Sequence, residues 1–243
     1  MPPEGGVDLT IVSRGYSVLH GCLTHGMRRM PARKDIAYLG ATVNHHLARS
    51  LPVGEIIATD PARIKSLNLL AREIIERNIP GEVAELGVYR GDFARRISSL
   101  FPDRKLYLFD TFEGFDTRDL TSESEQDLQT DFGDFSRVNV RNVLSRIPNP
   151  LQCIVKPGYF PESLDGLEET FSFVSIDTDL YKPTYEGLCY FYPRLAAGGY
   201  IMVHDYGPRR YQGVKMAVRQ FSDECKAPYT PLTDTNGSVV FGK

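Results

Sequence analysis

Three short stretches of this chain carry side chains suited to chemistry. In Glu85-Leu86-Gly87-Val88-Tyr89-Arg90-Gly91 an acid and two glycines sit where an apolar run gives way to an amphipathic one. Glycine lets the backbone turn tightly and approach a ligand closely, and a helix that follows offers unpaired N–H groups. About 20 residues further on, Asp110 ends the next apolar run, where an acid can accept hydrogen bonds from ribose hydroxyls. The pair predicts an adenosine-containing cofactor. The glycines do not follow the GxGxxG spacing of a dinucleotide site. Glu85 at the turn suits a cationic ligand better than a pyrophosphate, which favours S-adenosylmethionine with its sulfonium.

The other two stretches are Asp177-Thr178-Asp179 and His204-Asp205, each just after an apolar run. Ligands bind at the C-terminal ends of strands in open parallel sheets. Asp179 there can orient or deprotonate an acceptor hydroxyl, whose own pKa is far above neutrality. His204 can serve as a general base, since an ordinary histidine titrates near neutrality. The bland readings stand beside these: a turn whose Asp caps the next helix, and a hydrogen-bonded histidine at a strand end. Asp177-Thr178-Asp179 also fits the DxD pattern of a metal-dependent glycosyltransferase.

Alternating elements must position these groups. Asp60 and Pro61 read as the N-cap and first residue of a helix, with Ile64, Leu67, Leu70, Ile74 and Ile75 on one face and Pro80-Gly81 beyond its end. Strands are predicted at Val83–Leu86, Leu106–Phe109, Gln152–Lys156, Phe171–Ile176 and Tyr200–Val203, and helices at Phe93–Phe101, Val138–Ile147, Tyr185–Leu195 and Val214–Cys225. Residues 111–136 are polar and acidic and read as a loop that can hold a short helix; 121–136 could act as a solvated lid, with Asp131 and Asp134 in reach of the site when it closes. Thr230–Leu232 and Val239–Phe241 flank Asn236-Gly237, a hairpin turn signal. The expected fold is α/β: seven strands in a mostly parallel sheet, helices on both faces, and a C-terminal antiparallel hairpin. Residues 1–59 form an N-terminal helical or loop extension, with a helix at Asp35–Leu51, for a lid or oligomerisation; 60–243 form the cofactor-binding domain.

A net charge of −3 argues against nucleic acid as partner. The basic stretch from His25 to Lys34 reads as a solvated face. Cys22, Cys153, Cys189 and Cys225 show no metal or CxxC spacing; Cys153 and Cys189 read as small core residues, and a reducing compartment is expected. No apolar run reaches membrane-spanning length and no leader pattern is present, so no membrane partner and a cytoplasmic location are expected.

Taken together, the motifs resemble class I methyltransferases, and more narrowly the macrocin O-methyltransferase family of natural-product sugar O-methyltransferases. Gly81 to Gly91 resembles motif I. Phe109-Asp110-Thr111-Phe112-Glu113-Gly114, Lys156 through Tyr159-Phe160 to Leu164, Ser175-Ile176-Asp177-Thr178-Asp179-Leu180-Tyr181, and Phe191 through Tyr200 to His204-Asp205-Tyr206 match further segments. The resemblance spans about residues 80–225 and implies a Rossmann-like sheet.

It implies methyl transfer from S-adenosylmethionine to a hydroxyl of a small molecule, a sugar or a phenol, with homo-oligomers common. Glu85, Gly87, Tyr89 and Gly91 would line the methionine end of the cofactor, Asp110 with Thr111 the ribose, and Tyr159 and Phe160 the adenine, with Asp177 touching cofactor or metal. Asp177 and an acidic pair at 204–205 would bind Mg2+ or another divalent metal. The chain departs here, with His204 at the first position of the pair where Asp is usual; magnesium prefers oxygen. That departure alone supports a further reading, a cofactor-binding module without catalysis. Lys182, Arg209 and Arg210 are candidates for substrate contact.

Overall fold

A computed structural model describes residues 60–125, 138–207 and 212–243. The 1–59 extension with its Asp35–Leu51 helix, the basic stretch, Cys22, Asp131, Asp134, Arg209 and Arg210 lie outside the described residues.

The described chain runs α1 (Pro61–Glu76), β1 (Glu82–Leu86), α2 (Asp92–Leu100), β2 (Leu106–Asp110), α3 (Thr117–Glu125), α4 (Val140–Arg146), β3 (Cys153–Pro157), β4 (Phe171–Ile176), α5 (Tyr181–Arg194), β5 (Leu195–Val203), α6 (Gln212–Cys225), β6 (Tyr229–Pro231) and β7 (Val239–Gly242). The seven strands form one sheet in the order β3-β2-β1-β4-β5-β7-β6. β1 to β5 pair in parallel, and β7 runs antiparallel to both β5 and β6. The strand order reverses between β1 and β4, the point where open α/β sheets leave a ligand crevice.

Alternation along the strands feeds two cores. Ala84, Tyr107, Val174 and Ile201 pack under Leu188 and Phe191 of α5 and Val214 and Phe221 of α6. Val83, Leu106, Phe173 and Met202 point the other way, under Leu67 and Ile74 of α1, Phe93 and Ile97 of α2 and Val143 of α4. Both faces of the sheet are therefore helix-covered, and its C-terminal edge is left for binding.

Asp60 caps α1 as expected, accepting from the backbone N–H groups of Ala62 and Arg63 at 3.1 Å. The buried stripe of α1 is Arg63, Leu67, Ala71 and Ile74, whereas Ile75, expected in it, is 48% exposed. α5 starts four residues before its expected start at Tyr185, because Pro183 falls in its first turn, where a missing N–H costs nothing. β5 starts at Leu195 instead of Tyr200, passing through Ala-Ala-Gly-Gly with a register shift that Gly198, at φ 87°, absorbs. Cys189, expected in the core, faces solvent on α5. The short helix allowed for in the acidic segment is α3. Seven residues, 232–238, join β6 to β7, so Asn236-Gly237 turns within a longer loop rather than making a two-residue hairpin.

Candidate active site

Glu85, Gly87, Tyr89, Asp110, Thr111, Tyr159, Phe160, Asp177, Asp179, His204 and Asp205, which the sequence singles out for chemistry, line one cleft at the C-terminal ends of β1, β2, β4 and β5, whereas Gly91 and Lys182 do not line it. Gly91 stands just behind it at the N-terminus of α2, at φ 76°, with its Cα so close to Val143 that a Cβ would lie 2.7 Å from Cγ1. Backbone bonds extend the parallel ladder past the strands: Gly87 N–H to Phe109 O at 2.9 Å, Asp177 N–H to Leu86 O at 2.8 Å, and His204 N–H to Ile176 O at 2.9 Å. The β1 turn and the β4 end consequently touch. A Cβ on Gly87 would sit 2.0 Å from the Asp177 carbonyl oxygen, and its φ of 86° is left-handed as well, so only glycine fits.

Asp110 braces this turn. Its Oδ2 accepts from Val88 and Tyr89 N–H at 2.7 and 2.9 Å, and its Oδ1 accepts from Phe112 N–H at 2.7 Å. Each carboxylate oxygen has two lone pairs, so acceptor capacity toward the cleft remains. Thr111 donates to Gly114 O and accepts from Glu113 N–H. Four non-glycine residues of the cleft wall have left-handed backbones: Tyr89, Phe112, Asp179 and Asp205, at φ 47°, 55°, 62° and 58°. Such conformations persist only where surrounding structure enforces them, and they cluster at functional sites.

Glu85 is 1% exposed, and its Oε2 has no hydrogen-bond partner. Burial, and then the nearby Asp177 charge, push its pKa well above the ordinary range. A buried acid held in this way favours a cationic group beside it. On the far side, the Tyr159 hydroxyl donates to Asp119 Oδ1 at 3.0 Å, and the Arg118 guanidinium lies 3.5 Å from the Tyr159 ring centre. Burial raises the Asp119 pKa to about 6. Phe160 packs into the core, stacked on Phe191 at 6.0 Å and edge-on to Phe109. Lys182 lies 5.4 Å from the Tyr159 ring centre.

The acid cluster at the ends of β4 and β5 holds buried charge. His204 Nδ1 lies 3.1 Å from Asp177 Oδ1 and 3.0 Å from Asp205 Oδ2. Burial and Arg63 oppose charging of the imidazole, but Asp205 and Asp177 outweigh them and push its pKa up to about 10. Burial would raise Asp177, yet His204 and Arg63 hold it below the usual carboxylate range. Asp205 is likewise held low, by His204 against burial.

Arg63 is the residue that sequence reasoning missed. Its Nη2 donates to Asp177 Oδ2 at 2.9 Å from the first turn of α1, and its guanidinium lies 4.0 Å from the Phe93 ring centre. The only trace in the sequence is its place one turn before Leu67 in the apolar stripe of α1, which does not by itself set it apart from a solvated arginine. Asn236 also lines the cleft, and its loop braces the segment after Asp205 through Gly207 N–H to Asn236 O at 2.9 Å.

The donor atoms of Asp177, His204 and Asp205 lie within 4.8 Å of one another, close enough to converge on one ion. The set does not fit magnesium, which asks for oxygen donors. One of its three members is a histidine whose Nδ1 is engaged by both carboxylates, and the fixed charge of Arg63 occupies the other oxygen of Asp177.

Similar proteins converge on one description. The family model described as Macrocin-O-methyltransferase (TylF) matches residues 41–243. The demethyldecarbamoylnovobiocin O-methyltransferase of Streptomyces niveus is 23% identical over 167 residues, which cover 59% of this chain and 60% of that one. A 8-demethyl-8-(2,3-dimethoxy-alpha-L-rhamnosyl)-tetracenomycin-C 4'-O-methyltransferase of Streptomyces olivaceus is 27% identical over 192 residues, 74% of this chain and 72% of that one. The chain thus spans about three fifths of the first relative's length. The solved structure of the O-methyltransferase NovP superposes with a TM-score of 0.65 at 21% identity, covering 95% of this chain and 98% of that one, which establishes the likeness of fold.

Proposed function

The chain belongs to the macrocin O-methyltransferase (TylF) family, and from that premise we propose that it transfers a methyl group from S-adenosylmethionine to a hydroxyl of a small molecule. The observation that carries the reading is Glu85: a buried carboxyl with an orphaned oxygen, on the wall of a cleft entered through a glycine turn. S-adenosylmethionine, when bound, supplies a methyl group on a cationic sulfonium and leaves as the neutral thioether.

In this reading Glu85 takes the positive end of the methionine moiety, and Gly87 and Tyr89 let the backbone approach it. Asp110 accepts from a ribose hydroxyl with the remaining lone pair of its Oδ1, and Tyr159 offers its ring to the adenine. Asp179, 9% exposed on the cleft wall, is the base. It accepts the hydroxyl proton as the acceptor oxygen bonds to the methyl carbon and the C–S bond breaks, its electrons staying on sulfur. Alignment of oxygen, carbon and sulfur supplies much of the rate in such a displacement. We place the base at Asp179 rather than at His204, whose Nδ1 is engaged by both Asp177 and Asp205. No step is routed through a metal.

The acceptor we favour is a sugar hydroxyl on a glycosylated natural product, in keeping with the rhamnosyl group in one relative's name; a phenol is the alternative. A glycosyltransferase reading of Asp177-Thr178-Asp179 has no support from the family or the cleft. No helix among the described residues is long and apolar enough to cross a membrane. Incubation with methyl-labelled S-adenosylmethionine and a panel of glycosides and catechols tests the reading. Label in a glycoside, lost in Asp179→Asn, supports it; label in catechols alone would reassign the acceptor, and label in neither would remove the activity.

A further inference from the structure

We infer that Arg63, with His204 beside it, takes the place of a divalent ion in this site, completing the acid cluster without metal. The inference rests on the methyl-transfer reading only for what the cluster does; the cluster itself stands on geometry.

Arg63 is 2% exposed and does not line the cleft; it sits behind Asp177, which does. Its Nε and Nη1 have no hydrogen-bond partner. What holds the guanidinium is charge, through Asp177 Oδ2 at 2.9 Å, and the Phe93 ring beneath it. Burying a cation with two unsatisfied nitrogens is costly, and an apolar side chain of similar length would fill the stripe position on α1 without that desolvation but would leave Asp177 without its guanidinium. The position therefore carries a charge rather than a packing group. That charge is fixed, since a guanidinium does not lose its proton in proteins.

From Arg63 a chain of contacts runs toward the proposed base. Asp177 offers one oxygen to Arg63 and the other to His204; His204 Nδ1 also meets Asp205, which shares the cleft wall with Asp179. A divalent ion among three acids would orient them by coordination. Here the same orientation comes from a guanidinium behind the wall and an imidazole between the carboxylates. A positive charge against Asp177 also repels a second cation at that point. Arg63 is in this account a positioning residue, acting through Asp177.

The test uses Mn2+ alone as the probe, its free fraction read by electron paramagnetic resonance, in the full chain and in His204→Asp and the double variants Arg63→Met/His204→Asp and Arg63→Lys/His204→Asp. The wild type should leave the ion free up to about a millimolar. The Arg63→Met double variant should bind it at least about tenfold more tightly than His204→Asp, and Lys in place of Met at position 63 should reverse that gain. A wild type that binds Mn2+ at micromolar concentration would overturn the inference whether or not any variant folds. So would equal binding by His204→Asp and the Arg63→Met double variant. S-adenosylhomocysteine titration of the wild type separates the two claims: exclusion of Mn2+ without binding of this ligand retains the inference and removes the methyl-transfer reading.

Discussion

The two halves of the cleft are built by different physics. The β1 half is backbone work: Gly87 fits against the Asp177 carbonyl because it has no side chain, and one carboxylate, Asp110, gathers three N–H groups of the neighbouring loops. The β4–β5 half is made of buried charge, Arg63, Asp177, His204 and Asp205, all but Asp177 5% exposed or less. Shape that is set by backbone tolerates changes of charge and fails on added volume. A charge network tolerates little of either, because removing one member leaves another buried and uncompensated.

Substitutions on each side sharpen the contrast. The largest effect belongs to Arg63→Met, which strips Asp177 of its guanidinium and should cost about 3–5 kcal/mol in chemical denaturation. A loss below about 1 kcal/mol, the scale of exposed pairs, would mean that the network is not a stabilising unit.

Next comes pH. The His204 pKa is raised to about 10 in the folded protein, above the ~6.5 of an unperturbed histidine. Its contribution to stability is therefore fully present below about pH 6.5 and lost as pH rises through about 10. Asp177, held low, contributes in the opposite sense: its stabilisation is present above its ordinary pKa and lost only in acid. Melting temperature should thus fall on the alkaline side, and His204→Asn should flatten that fall. An alkaline limb unchanged in His204→Asn would assign it to other groups.

On the backbone side, Gly87→Ala should weaken S-adenosylhomocysteine binding by more than about tenfold, since backbone strain of this kind costs roughly 1–3 kcal/mol. Undiminished affinity would mean that the turn can open without loss. Asp110→Ala, the smallest of the four, removes acceptors for three N–H groups and should weaken that binding by about tenfold, with the protein still folded. Unchanged affinity in calorimetry would rule out the ribose role.

The same contrast explains what could be read in the sequence. Gly87, Gly91 and Asp110 were legible because the demands on them are local: a tight turn needs glycine, and an acid at a strand end is near the turn in sequence as well as in space. The parallel strands were legible for a similar reason, as short apolar runs bounded by turn residues. Arg63 was not. It lies 114 residues from Asp177, and an arginine in an amphipathic helix reads as solvated until the sheet places a carboxylate over it. The start of α5 was missed because proline signals a break except in a first turn, and the extent of β5 because a bulge at glycine resembles an end. The metal question could be raised from His204 but not resolved, since the alternative cation comes from a different part of the chain.

The central claim is that this cleft takes S-adenosylmethionine. Calorimetric titration of the full chain with S-adenosylhomocysteine, run once with chelator and once with magnesium, tests it most directly. The account predicts micromolar binding with the same affinity in both runs. Absence of binding in both would contradict the claim and leave the chain as a family member with another ligand.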